Sequence, residues 1–214
     1  MGKKKKILNL YAGIGGNRKL WGDDYEITAV EYDESIAAIY KCHFPKDDVV
    51  VGDAHQYLLE HHREFDFIWS SPPCPSHSDL RRMAVHRGQN KAIYPEMSLY
   101  QEIILLNNFA PKHTKFVVEN VKPYYEPLIR PSIEMHRHLF WCNFYVPKKE
   151  FNDTRRHLDI KASSTVYGFN LERFKVDNKV KILRNMVMPN VGLHFLNRAF
   201  EIIDNSDVSQ PKLF

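Results

Sequence analysis

The sequence predicts an α/β fold with a mostly parallel sheet and helices on both faces. Three observations carry that expectation. Short apolar runs alternate with longer amphipathic stretches along most of the 214 residues. A glycine-rich turn, GIGG (13–16), follows the first apolar run, and acidic or reactive residues recur at the ends of the later ones. Strands alternating with helices build βαβ units, whose parallel strands are buried on both faces. Ligands of such sheets sit beyond the carboxyl ends of the strands.

Each element follows from its local pattern. KILNLY (6–11) is short and apolar, as a buried strand is, and EITAVE (26–31) repeats the signal. DESIAAIYKCHF (33–44) places Ile36, Ala37, Ile39 and Tyr40 at helical spacing. DVVVGD (48–53) is a third strand, HQYLLEHH (55–62) a helix and FDFIWS (65–70) a fourth strand. The segment 77–91, HSDLRRMAVHRGQNK, reads as a basic loop. MSLYQEIILLNNF (97–109) is a helix with Leu99, Ile103 and Leu106 on one face, and KFVVEN (115–120) a fifth strand. HLFWCNF (138–144) is a further strand. The polar stretch 147–169 breaks the pattern, and the apolar run 180–203 is expected to close the sheet and then form a helix from about Gly192. The domain reading is a core over 1–146, an insertion over 147–180, a return to the core over 181–205 and a flexible tail over 206–214.

Composition narrows the class. Hydrophobic residues make up 43% and charged residues 26%, as in an ordinary globular protein, and the net charge of +4 suits a polyanionic partner. Cys42, Cys74 and Cys142 are far apart, so neither a zinc motif nor a disulfide framework is expected, and reduced thiols point to an intracellular protein. MGKKKK runs straight into the first strand and does not read as a signal peptide; no stretch is long enough to span a membrane.

The strand ends carry the chemistry. A glycine turn between strand and helix lets backbone N–H groups approach a ligand. Glu31, about 20 residues on, ends the second strand where an acid grips two ribose hydroxyls, and Asp53 ends the third, where a carboxylate can accept from an adenine amino group. Together these describe an adenosine pocket. After the fourth strand comes SSPPCPSHS (70–78), in which two prolines stiffen the chain ahead of one cysteine. A thiolate fixed at a sheet edge is a candidate nucleophile. Cys42 and Cys142 read as inert thiols.

In order along the chain, NLYAGIGG (9–16), EYDESIAAIY (31–40), Gly52-Asp53, Pro72-Pro73-Cys74, Glu119-Asn120-Val121, MHRHLF (135–140) and RNMVMP (184–189) resemble the successive motifs of the cytosine-5 DNA methyltransferases. The resemblance implies a Rossmann-like S-adenosylmethionine-dependent methyltransferase fold with a very small target-recognition insertion. It implies Cys74, Glu119 and Arg137 as catalytic residues. It implies a cofactor pocket built from Tyr11, Gly13, Ile14, Gly15, Gly16, Glu31, Tyr32, Asp53, Pro73, Leu99, Asn185 and Val187. Double-stranded DNA would be met by Ser76, Arg81, Arg82, Arg87 and Lys91, with no metal. Several positions depart from the family pattern: Asn9 stands for Asp, Tyr11 for Phe, Ile36 for Ala, Pro75 for a common Gln, and Met135 for the first arginine of a pair.

The implied reaction adds the Cys74 thiolate to carbon 6 of an extruded cytosine, making carbon 5 nucleophilic toward the methyl donor. Glu119 would serve N3 and Arg137 the O2 oxygen. Two other readings stand beside this one: the RNA-methylating branch of the family, acting on transfer RNA, and a catalytically silent cofactor-binding module. A nicotinamide-dependent oxidoreductase would share GIGG and Glu31 but has no use for PPC or ENV. At the end of the chain, Gln210, Leu213 and Phe214 resemble the peptide that docks on the bacterial replication sliding clamp. A bacterial or phage protein working in the host cytoplasm or nucleoid is the expected setting.

Overall fold

The computed structural model describes residues 3–152 and 165–202. Five strands, β1 (Lys6–Leu10), β2 (Glu26–Glu31), β3 (Asp48–Val51), β4 (Phe67–Ser70) and β5 (Lys115–Val121), pair in parallel. Two short strands, β6 (Ile133–Met135) and β7 (His138–Cys142), complete a seven-stranded sheet in the order β3-β2-β1-β4-β5-β7-β6. β7 runs antiparallel to both of its neighbours. The central strands are apolar because both faces are covered: Ile7, Leu8, Leu10, Phe67, Ile68 and Trp69 are fully buried.

The helices are α1 (Glu34–His43), α2 (Ala54–His61), α3 (Asp79–His86), α4 (Ser98–Phe109), α5 (Lys179–Asn185) and α6 (Pro189–Ala199). Asp33 caps α1 by accepting from the N–H groups of Ser35 and Ile36, and Asp53 caps α2 by accepting from those of His55 and Gln56. The α4 face of the sheet packs Leu99, Ile103 and Leu106 with Leu8 and Ile68, whereas α6 covers the opposite face with Phe195 against Trp69 and Phe140. Two strands of two residues, β8 (Thr165–Val166) and β9 (Phe169–Asn170), form a separate hairpin. No helix of the described residues is long and apolar enough to cross a membrane.

Three expectations are corrected. The segment 77–91 is not all loop but contains α3. The run from 180 adds no strand: it folds as α5, and the sheet is closed by β6 and β7 instead. The following helix begins at Pro189 rather than near Gly192, because proline fits the first helical turn, where its missing N–H is not needed. Gln210, Leu213, Phe214 and residues 153–164 of the insertion lie outside the described residues.

One buried ion pair braces the glycine-loop side of the sheet. Arg18 donates to both oxygens of Asp47, at 2.8 and 3.0 Å, and Tyr40 Oη donates to Asp47 Oδ2 at 2.8 Å. Both charged side chains are 4% exposed. Burial disfavours the guanidinium charge, but the Asp47 hydrogen bonds and charge outweigh it and hold the Arg18 pKa above its ordinary value. Asp47→Asn leaves the buried Arg18 cation with only the exposed Asp23 carboxylate, 3.5 Å away, and the expected cost is about 3 kcal/mol of unfolding free energy, read from urea denaturation.

Candidate active site

The loop leaving β4 is stiff by composition. Pro72 and Pro73 fix their own φ angles and lack N–H groups, so the loop depends on other donors to hold it. The buried Asn120 side chain on β5 supplies one, donating to the Pro72 carbonyl at 2.9 Å. Beyond the prolines the chain turns at once, with the N–H groups of His77 and Ser78 both donating to the Cys74 carbonyl. Cys74 is thereby fixed, half-buried, at the edge of a cavity of about 330 Å³. Burial and the nearby Glu119 charge push its thiol pKa up, while its own backbone, Arg137 and Lys181 pull it down; the net shift is upward.

The same cavity is lined by Glu119, Arg137 and Pro73. The antiparallel register of β5 and β7 sets Glu119 opposite Phe140 and Val121 opposite His138. Residues two apart on a strand share a face. His138 therefore stands diagonal to Glu119, with Nε2 3.5 Å from Glu119 Oε1; the Glu119 side chain is 10% exposed. Lys181 and Arg184 of α5 also line the cavity, so besides Glu119 its charged lining residues are basic.

The glycine turn forms a second cavity, of about 250 Å³. Gly15 sits at φ +84°, and a Cβ there would fall 2.3 Å from the Phe44 ring, so only glycine fits. A Cβ on Gly16 would meet the Val187 carbonyl at 2.2 Å, which lets the α5–α6 connection close down on the turn. Glu31 Oε2 accepts from the Gly13 N–H at 2.8 Å and Oε1 from the Asp33 N–H at 3.1 Å. Tyr11, Ile14, Asn185 and Val187 also line this cavity. Ser71, Asn185, Met186 and Val187 line both cavities, which therefore share a wall.

Not every expected site residue joins these walls. Leu99 is 2% exposed and packs in the core beneath the sheet, lining neither cavity. Pro73 belongs to the Cys74 cavity, not to the glycine-turn cavity. Gly15 packs beneath the turn, Asp53 caps α2 and Tyr32 is 80% exposed beside Glu31. In the basic segment, Ser76 is buried and accepts from the Glu96 N–H. Arg81 donates to the Lys91 carbonyl, and Arg82 lies 5.2 Å from the Tyr124 ring centre while donating to the Tyr124 carbonyl. Arg87 and Lys91 are exposed.

Sequence reasoning missed His138, Ser71 and Glu102. The alternation of HLF, with His138 and Phe140 on one face, marks a shared face, but the β5–β7 register that sets Glu119 there cannot be read from it. Glu102 sits among the apolar positions of the helix predicted over 97–109, and a buried acid at a core position is the signal that could have found it. Among the described residues, no cluster of His, Cys, Asp and Glu could hold a metal ion.

Comparison with known proteins agrees with this geometry. Residues 5–127 match the family model for C-5 cytosine-specific DNA methylase. The chain is 34% identical over 122 residues to the Type II methyltransferase M.NgoPII of Neisseria gonorrhoeae, an alignment covering 54% of this chain and 33% of that protein. It thus spans about a third of that relative's length. The structure of the Entamoeba histolytica methyltransferase EhMeth superposes with a TM-score of 0.53 at 13% identity, covering 98% of this chain and 100% of that one, which speaks for the fold. The matched family model takes in the glycine turn, Glu31, Asp53, the PPC loop and the ENV strand, and by it this chain belongs to the C-5 cytosine-specific DNA methylase family.

Proposed function

We propose that this chain is a DNA (cytosine-5-)-methyltransferase that takes its methyl group from S-adenosylmethionine. The observation that carries the reading is the shared wall: a cavity holding a thiol and a carboxylate abuts a glycine-turn cavity across Ser71, Asn185, Met186 and Val187. A reaction between two bound molecules needs such an arrangement, because holding them in contact removes most of the entropic barrier.

The residues of the glycine-turn cavity fit the cofactor. Each Glu31 oxygen accepts one backbone N–H and, as a carboxylate oxygen, has room for a second donor, so the pair suits two vicinal ribose hydroxyls. The Tyr11 ring offers an aromatic face for the adenine. When bound, S-adenosylmethionine supplies an electrophilic methyl group on its sulfonium.

The protein's own groups do the rest. Cys74 Sγ, as thiolate, adds to carbon 6 of an extruded cytosine, and the ring electrons become available at carbon 5. Glu119 stands to donate a proton toward N3, where negative charge develops, and Arg137 to donate to O2. Once carbon 5 carries the methyl group it gives up its proton to a water molecule, the C–H electrons restore the double bond between carbons 5 and 6, and the carbon–sulfur bond breaks so that Cys74 leaves with its bonding pair. Arg81, Arg82, Arg87 and Lys91 flank the thiol loop and serve the DNA phosphates. The test is transfer of labelled methyl groups to duplex DNA and, in parallel, to transfer RNA, with bisulfite sequencing of the DNA product. Label at carbon 5 of cytosine in DNA is expected; label confined to transfer RNA, or absent from both, overturns the reading.

A further inference from the structure

Glu102 is a carboxylate in the wrong place for a helix that merely packs. Its neighbours on the buried face of α4 are Leu99, Tyr100, Ile103 and Leu106, and it is itself 0% exposed. Burying a charged or polar group is costly unless its hydrogen bonds are made. Here they are made, and the donors come from three different strand connections. Tyr11 Oη, just after β1, donates to Oε1 at 2.6 Å. Ser70 Oγ, at the end of β4, donates to Oε2 at 2.5 Å. His55 Nδ1, in the first turn of α2, lies 3.0 Å from Oε1.

Each donor leads to the reacting parts. Tyr11 lines the glycine-turn cavity and holds a left-handed backbone, φ 52°, that a bulky residue adopts only when its surroundings impose it. Ser70 immediately precedes Ser71 of the shared wall, four residues before Cys74. His55 follows Asp53 by two residues.

We infer that Glu102 is a positioning residue for methyl transfer: one buried carboxylate ties the wall of the cofactor cavity to the root of the nucleophile loop and so fixes the distance between donor and acceptor. The inference rests on the function proposed above. His55 supplies a titratable partner to the cluster. The Glu102 hydrogen bond raises the His55 pKa, burial opposes it, and the charges of Glu102, Asp53 and Glu96 add to the rise.

The experiment separates the two arms. Calorimetry reads S-adenosylmethionine affinity, and single-turnover methylation at saturating cofactor reads the nucleophile side. Tyr11→Phe is expected to weaken cofactor binding roughly tenfold, the scale of one hydrogen bond to a charged group. Ser70→Ala is expected to slow the single turnover while changing affinity less than Tyr11→Phe does. Glu102→Gln is expected to do both, and adding Tyr11→Phe to it should cost little further affinity, since the two share one interaction. By NMR the His55 pKa should fall in Glu102→Gln, because the hydrogen bond and charge that raise it are lost. A folded Glu102→Gln protein with wild-type affinity and rate, or full additivity with Tyr11→Phe, overturns the inference. Wild-type protein that binds no S-adenosylmethionine overturns the underlying function instead.

Discussion

Cys74→Ser is expected to lower methyl transfer by on the order of 10⁴-fold or more, the scale on which losing a covalent nucleophile slows other enzymes. The oxygen keeps the shape of the loop, so folding and DNA binding should survive. What disappears is a nucleophile polarizable enough to add to an aromatic carbon. The measurement is single-turnover methylation alongside trapping on DNA that contains 5-fluorocytosine, where fluorine at carbon 5 prevents release of the enzyme. Wild-type protein should form the covalent complex and Cys74→Ser none. A serine variant with wild-type turnover would remove the covalent mechanism altogether. The pH behaviour of the thiol carries the same test into the free protein. Burial, with the Glu119 charge, puts the Cys74 pKa above that of an ordinary thiol. Only the thiolate reacts with iodoacetamide, so alkylation of Cys74 should be slower at neutral pH than that of a free cysteine and climb through a midpoint displaced to higher pH. Arg137 and Lys181 hold that pKa down. Arg137→Met or Lys181→Met should therefore move the midpoint higher and slow alkylation at any fixed pH below it.

The parallel half of the sheet was legible because each of its strands is a short apolar run bounded by turns, buried on both faces in β1 and β4 and partly exposed in β3 at the edge. β6 was not: Ile133-Glu134-Met135 has no pattern of its own, and it is a strand because β7 offers it an edge. α3 was hidden for a related reason. It buries no side chain, and Leu80 and Met83 are 66% and 40% exposed, so no apolar face separates it from a basic loop. The run 180–188 is apolar like a strand, but Leu183 and Met186 pack with Tyr40, Phe44 and Phe169 rather than against a sheet edge. At the site, the glycine turn, Glu31, Asp53 and the PPC loop could be placed along one sheet edge in advance, since they sit where strands end, whereas Asn185 and Val187 reach the site from the end of α5 and the α5–α6 connection, a stretch that was expected to be part of the sheet. What could not be placed was whatever depends on the register between strands distant in sequence. His138 beside Glu119 and Asn120 under Pro72 arise from pairings that local pattern does not encode. Leu99 shows the converse: the resemblance implies it for the cofactor pocket, yet helical geometry turns it into the core.

Glu119→Gln should lower kcat by roughly 10² to 10⁴-fold, the usual worth of a positioned proton donor, with the KM for DNA changed far less. Adding a thiolate at carbon 6 drives negative charge onto N3 and O2 of the ring, and that charge must be met as it forms. The glutamine amide can donate a hydrogen bond in the same place but has no proton to give up, so it answers the charge without neutralising it. The split between kcat and KM matters, because a residue that only bound the flipped base would raise KM and leave kcat unchanged. His138 supplies the companion measurement. Its Nε2 is 3.5 Å from Glu119 Oε1, an ion-pair distance when the imidazole is protonated, on a strand face that brings both groups to the cavity holding Cys74. His138→Ala should cost roughly tenfold in kcat, as expected for one charged hydrogen-bonding partner, and should cost almost nothing in the Glu119→Gln background. That non-additivity would mean His138 acts through Glu119, whereas independent losses would place the histidine in direct contact with the base or the DNA backbone.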